Sequence, residues 1–265
     1  MRNFRIAMIA MIVAMMASAS FAQTFDWLEG NPDQIQQDGI TEQVEALLKL
    51  FSALSGSGFI NTAALHQIGG VDVRFSFMGA PVPEKFRDII APPVIDPLQG
   101  VEFVPFAVLH GNLGLAPRLE AYGRFFTLPI QGEPGGNVTL VGGGLKFGVL
   151  RENLDTPALT LMGGYQTILV PEAFDFGRVS SWGVKAYISK AFPVVTLYGG
   201  GGLDRTALKL TFAGLPPDIK RDYSVTYPQA TAGLTFTAIP FVKINLDANL
   251  GEFFSLSAGA ALSIR

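Results

Sequence analysis

Val242, Ile244, Leu246, Ala248 and Leu250 occupy alternate positions, with Lys243, Asn245, Asp247 and Asn249 between them. After Gly251 the alternation resumes. Phe254, Leu256, Ala258, Ala260, Leu262 and Ile264 are set against Ser255, Ser257, Gly259, Ala261, Ser263 and Arg265. Successive side chains of a strand point to opposite faces, so the pattern predicts two consecutive β-strands. Both apolar sets share parity, which demands an odd connection, and Gly251-Glu252-Phe253 supplies one. One face of the pair is apolar and the other polar or small. A soluble sandwich can have such faces. So can a membrane barrel with lipid outside and a wet lumen inside.

The same period recurs upstream. Val71–Met78 sets Val73, Phe75 and Phe77 against Asp72, Arg74 and Ser76. Further strands are predicted at 101–109, 115–128, 138–149, 158–170, 179–190, 193–203 (with an extension towards Phe212 left open) and 223–236. In the third, Arg118, Glu120, Tyr122 and Arg124 oppose Leu119, Ala121, Gly123 and Phe125. With the C-terminal pair this makes ten strands, and bacterial single-chain barrels are even-numbered. Twelve would need 85–95 and 203–212 as extra strands. Prolines at 81, 83, 92, 93 and 97 make 79–100 a long loop, with a short helix near Glu84–Ile90. The expected fold is all-β: a transmembrane antiparallel β-barrel of about ten strands (8–12) with one N-terminal amphipathic helix.

That helix follows a polar lead-in, 23–40, read as entering from the periplasmic side. Thr41 is placed as its N-cap. Val44, Leu47, Leu48, Phe51 and Leu54 form an apolar face, and Gly56 and Gly58 end the run. The helix is too short and too charged to span a bilayer. It can plug the lumen or a barrel mouth, lie on the membrane surface, or dock on another protein. Residues 1–22 read as a secretory signal. Arg2 and Arg5 precede an apolar stretch from Ile6 to Met16, and Ser20-Phe21-Ala22 forms the cleavage site. The expected domains are thus 1–22 signal peptide, 23–62 loop and helix, and 63–265 barrel.

Between helix and first strand runs Ser57-Gly58-Phe59-Ile60-Asn61-Thr62-Ala63-Ala64-Leu65-His66-Gln67-Ile68-Gly69-Gly70-Val71-Asp72. This segment resembles one in a family of exported β-barrel proteins of unknown function from Gram-negative bacteria. The resemblance continues through the first strand and Pro81-Val82-Pro83-Glu84-Lys85. It implies an outer-membrane barrel with an N-terminal helix and no settled activity. Val71 departs from the aromatic expected there, and Asn61, His66 and Asp72 are the motif's candidate residues.

Composition narrows the class. Of the 265 residues 49% are hydrophobic and only 15% charged, against about a quarter in soluble domains. Mean hydropathy is +0.35. No apolar run beyond the leader is long enough for a membrane helix, so the apolarity lies on alternate positions. The formal net charge of −3 gives no reason to expect nucleic-acid binding. There is no cysteine, so an exported chain must be held by hydrogen bonding and packing. Aromatics near strand ends (Phe103 and Phe106, Phe125 and Phe126, Tyr223 and Tyr227, Phe253 and Phe254) suggest interfacial girdles.

No enzyme site, cofactor or metal site is expected. His66 and His110 are the two histidines, and neither has ligand spacing. His110 beside a serine is the weaker hydrolase alternative. The glycine runs 142–144 and 199–202 lack phosphate-loop spacing. The expected lumen-facing set is Arg74, Arg118, Glu120, Arg124, Lys146, Lys185, Asp204, Lys243 and Asp247. A ten-stranded barrel is narrow, so these charges either pair into a polar core or line a small conduit. In the second case the excess of bases favours anionic solutes, including amphiphiles with a carboxylate. The expected role is to bind or pass a small hydrophobic or amphiphilic molecule across the outer membrane. The alternative is a closed structural barrel that docks a partner protein. Outer-membrane lipid, the barrel-assembly machinery acting on the C-terminal strand, and a small amphiphilic ligand are the expected partners.

Overall fold

The computed structural model describes residues 37–82, 103–130, 136–169, 177–210, 222–239 and 241–264. The expected leader at 1–22, the lead-in up to 36, the short helix near Glu84 and the optional strand at 85–95 lie outside the described residues.

Ten antiparallel strands close into one barrel. They are β1 (Val71–Pro81), β2 (Phe103–Ala116), β3 (Leu119–Ile130), β4 (Gly136–Leu150), β5 (Ala158–Leu169), β6 (Gly177–Ala191), β7 (Val195–Leu210), β8 (Asp222–Ile239), β9 (Val242–Leu250) and β10 (Ser255–Ile264). Each strand pairs with its sequence neighbours. β1 also pairs with β10, from Val71 opposite Ile264 to Gly79 opposite Leu256, so no edge is left open. β7 is unbroken to Leu210, which removes the option of a separate strand at 203–212. In the last hairpin Asn249 faces Ser255, the odd connection that shared parity requires.

The pleat is turned inside out relative to a soluble barrel. Phe75, Phe77, Phe125, Trp182, Ile244, Leu246 and Leu256 stand on the outer surface, while Asp72, Arg74, Arg124, Lys243, Asn245 and Asp247 are buried within. That arrangement suits lipid outside and polar packing inside. Large lumenal rings need small neighbours. Tyr122 lies over Gly144 and Gly164, and a Cβ at either glycine would collide with its phenol oxygen.

Helix α1, Gln37–Ser55, precedes the barrel. It begins ahead of Thr41, so Thr41 lies within the helix and does not cap it. Gly39, assigned to the lead-in, falls in the first turn, where it costs about 1 kcal/mol of propensity without ending the helix. From Val44 onward the helix sits in one mouth of the barrel. Val44, Leu48 and Leu54 are buried, and Leu47 and Phe51 are half-buried against the core. Ala46, Leu50, Ser52, Ala53 and Ser55 are buried as well, so the helix is wrapped and not one-sided. The chain then threads the lumen through residues 56–70 and turns into β1 at the opposite mouth.

The two mouths differ. The connections 117–118, 151–157 and 192–194, with Phe241 between β8 and β9, lie at the mouth where β1 starts. At the mouth that holds α1, β1 ends at Pro81, β3 at Ile130, β5 at Leu169, β7 at Leu210 and β9 at Leu250, and the stretches of sequence from there to the next strand are mostly longer. The lumen is apolar around α1, where Met78, Val104, Phe106, Val108, Val138, Leu140, Ile168, Tyr227 and Phe253 pack on the helix. Below that it is polar. Phe106, Tyr223, Tyr227 and Phe253, read from sequence as girdle residues, are buried inside, and Phe126 packs on Phe106 at 5.6 Å. They satisfy the helix surface, which the alternation of the strands alone does not reveal. Phe103, Phe125 and Phe254 do face outward.

An arginine at Leu246, halfway along β9 on the outer face, should destabilise the barrel by about 2–4 kcal/mol, and one at Ile239 near the rim by about 0–1 kcal/mol. Urea titration in lipid vesicles would measure both. Equal costs at the two positions would contradict a lipid-facing band.

Candidate functional site

Helix α1 ends inside the barrel, where its last carbonyls have no helical partner. Gly56 closes the final turn by donating to Ser52 O at 2.8 Å, and Gly58 takes a left-handed φ of 63°. The helix has no basic residue in its last turn, so the wall supplies the cations. Arg124 donates to Ser55 O, to Ser57 O at 3.4 Å and to Gln166 Oε1 at 2.9 Å. Lys185 Nζ donates to Gly56 O at 2.8 Å. Arg74 Nη2 donates to both Gly58 O and Phe59 O at 2.8 Å. The Phe59 ring lies against the Arg124 guanidinium (4.0 Å) and the Lys185 ammonium (4.5 Å), with Tyr122 edge-on at 5.9 Å.

The extended stretch beyond Phe59 is held the same way. Thr235 Oγ1 donates to Asn61 O at 2.5 Å, and Thr160 Oγ1 to Ala63 O at 2.6 Å. Ala63 N donates to Ser189 Oγ at 2.9 Å. Higher up, Ser52 and Ser57 share hydrogen bonds with Thr206 and Ser255, each at 2.6 Å. Of these contacts only the charged partners had a signal in the sequence, because residues 56–66 carry no period and serines on a helix read as solvent-facing.

The acids complete the network. Glu120 accepts from His66 N (2.9 Å), meets His66 Nδ1 (2.7 Å), and pairs with Lys146 at 2.8 Å. His66 Nε2 reaches Ser263 Oγ at 3.1 Å, so both ring nitrogens have partners. Asp204 pairs with Lys185 at 2.8 Å and accepts from Gln229. Asp72 accepts from Asn61 (3.3 Å) and Asn112 (3.2 Å), with Lys243 at 3.7 Å. Asp247 accepts from Tyr198 (3.0 Å) and Asn249 (2.8 Å). His110 faces the lumen between Arg74 and Arg124 in register, and its Nε2 has no hydrogen bond among the described residues.

Arg118 departs from the expected lumenal set. The β2–β3 register shifts between Gly114 and Ala116, the strand ends, and Arg118 falls in the exposed turn at the rim. The lumenal bases are then Arg74, Arg124, Lys146, Lys185 and Lys243, facing Asp72, Glu120, Asp204 and Asp247. Backbone carbonyls absorb the surplus base, so it is no sign of an anionic solute in the lumen.

Beside Phe59, Tyr122, Arg124 and Lys185 the described residues leave a crevice of about 10 Å³, roughly one water. At the short-turn mouth a half-open cleft of about 750 Å³ is lined by Leu65, Ile68, Pro117, Arg118, Leu150 and Arg151 among others.

A family of unknown function, DUF6588, matches residues 87–264. The chain belongs to that family. The matched residues begin after the Ser57–Asp72 segment, so the family match bears on the barrel and not on that motif. No curated protein matches the sequence. Among solved structures, the chain is similar to the attachment invasion locus protein Ail of Yersinia pestis, with 13% identity over 75% of this chain and 100% of that one, at a TM-score of 0.32. It is similar to the N-terminal β-barrel domain of Pseudomonas aeruginosa OprF at 11% identity, covering 75% and 100%, with a TM-score of 0.32. The outer membrane protease OmpT of Escherichia coli gives 11% identity, 74% and 96% coverage, and a TM-score of 0.38.

Within this family member, Arg124→Met should loosen the threaded segment. It leaves the Ser55 and Ser57 carbonyls without their charged donor, a loss of about 1.5–3 kcal/mol per charged hydrogen bond. Hydrogen exchange should rise over residues 55–60 while β9 and β10 stay protected. Unchanged exchange there would mean that Arg124 does not hold the segment.

Proposed function

We propose that this protein is an integral outer-membrane barrel kept closed by its own N-terminal segment, and that it binds a small amphiphile at a mouth and does not pass one through. The observation that carries this reading is the row of carbonyls at Ser55, Gly56, Ser57, Gly58, Phe59, Asn61 and Ala63, each taken by a side-chain donor of the barrel wall. A plug meant to swing aside would leave these buried donors and acceptors unpaired, at about 1–3 kcal/mol each. Of the roles expected from sequence, this disfavours passage along the lumen; binding without passage, and the alternative of a closed structural barrel that docks a partner, both fit a filled lumen.

The outer-membrane assignment is supported by the outward apolar band, which in water would be one continuous exposed patch. The leader expected at 1–22 would deliver the chain for export. Short turns of membrane barrels face the periplasm and longer loops the exterior. On that rule the β1-start mouth is periplasmic and α1 sits in the outer mouth, where Lys49 pairs with Glu252 at 2.9 Å. On this reading the helix lies on the side opposite to the periplasmic one from which the lead-in 23–40 is expected to enter.

Two measurements test the reading. In planar bilayers the full-length protein should give no conductance steps, and a protein lacking residues 37–60 should give them. Open steps from the intact protein would overturn closure. The natural chain has no cysteine, so Lys49→Cys and Asp155→Cys give single reactive sites at opposite mouths. A membrane-impermeant maleimide should label the first on intact cells and the second only after the outer membrane is permeabilised. The reverse order would invert the orientation.

A further inference from the structure

The half-open cleft at the short-turn mouth is lined by both aliphatic and charged side chains. Leu65, Ile68, Pro117 and Leu150 supply an aliphatic floor, and Arg118 and Arg151 supply positive charge at the rim. Leu65 lies on Gly148, where a Cβ would stand only 3.1 Å from its Cδ1, so the strand gives way to make the floor. Ile68 is 66% exposed beside it, an aliphatic side chain left uncovered at a polar mouth.

The charged groups are not equivalent. Arg151 donates to Pro117 O at 2.5 Å, which brings its guanidinium to the turn that carries Arg118. Glu152, the cleft's acid, is engaged by Ala191 N at 2.5 Å. Arg118 makes no side-chain hydrogen bond or ion pair among the described residues. A guanidinium presents a planar fork of donors that fits a carboxylate or phosphate, and here it borders an apolar surface. About 750 Å³ is within the range of small-molecule sites. The rim around it is also apolar: Leu154, Phe192, Val194 and Phe241, on three of the short turns, are exposed, which suits turns seated at a lipid interface.

From this we infer that the cleft binds the anionic headgroup of a single-chain amphiphile, a carboxylate or a phosphate, on Arg118 with help from Arg151, while the hydrocarbon lies on Leu65, Ile68 and Leu150. The inference rests on the barrel acting as a binding protein, and it adds the place and the chemistry. It does not depend on whether the lumen conducts, so the conductance test and the binding test can fail separately.

The test is calorimetric titration of dodecanoate into the full-length protein in phosphatidylcholine nanodiscs, with empty nanodiscs subtracted. Saturable one-site binding is expected. Arg118→Gln should weaken it about tenfold or more, as loss of a charged hydrogen bond does. Dodecanol and acetate, which carry only one half of the chemistry each, should bind at least as much more weakly. Leu65→Trp, which fills the floor, should abolish binding, while Lys209→Gln, on the outer face far from the cleft, should leave it unchanged. Nanodiscs containing phosphatidylglycerol identify the source. Suppressed dodecanoate binding there means that a resident bilayer lipid occupies the cleft, and unchanged binding means a free amphiphile. No saturable heat, or equal affinity in wild type and Arg118→Gln with both proteins still showing the folded-barrel shift on unheated gels, would overturn the proposal.

Discussion

A peptide drawn through a narrow barrel has nowhere to hide its carbonyls. It cannot join the sheet, because every strand edge is already paired. Each carbonyl needs a donor from the wall, and a carboxylate cannot provide one. This requirement explains why arginine, lysine and threonine crowd the inner face opposite residues 55–63. The helix end adds its own partial negative charge, which favours cations over neutral donors at the first of those positions.

The upper lumen meets a different demand. A helix satisfies its own backbone, so the wall around α1 needs only apolar contact, and there Phe106, Leu140 and Tyr227 replace the charges. The barrel interior thus changes character where the helix stops. Near Ser55 the contents pass from self-satisfied to dependent backbone, and the wall changes from hydrocarbon to guanidinium and ammonium. Two of the acids enter as companions of those bases, Asp204 beside Lys185 and Glu120 between His66 and Lys146, while Asp247 is held by Tyr198 and Asn249.

The barrel was largely legible in the sequence because alternation is a direct record of which face each residue takes. It sets Lys243, Asn245 and Asp247 inward and Ile244 and Leu246 outward without further knowledge. It fails where the backbone leaves the ideal pleat. The shift between Gly114 and Ala116 moves Arg118 to the rim, and no one-dimensional parity count can see it. It fails again at Phe106 and Phe253, where both faces are apolar because the inner one meets a helix. The path of residues 56–66 was not legible at all. That stretch has no period, and its partners, such as Ser255, Thr235 and Glu120, are distant in the chain.

Those distances have a consequence for how the molecule is made. Ser57 is bonded to Ser255, and His66 to Ser263, both on β10. Ser57 and Ser255 stand 198 residues apart and His66 and Ser263 197 apart, so neither bond can form until strands from the far end of the sequence have been placed. The threaded segment is locked only as the ring of strands is completed, and each bond ties the contents of the lumen to the strand that closes on β1.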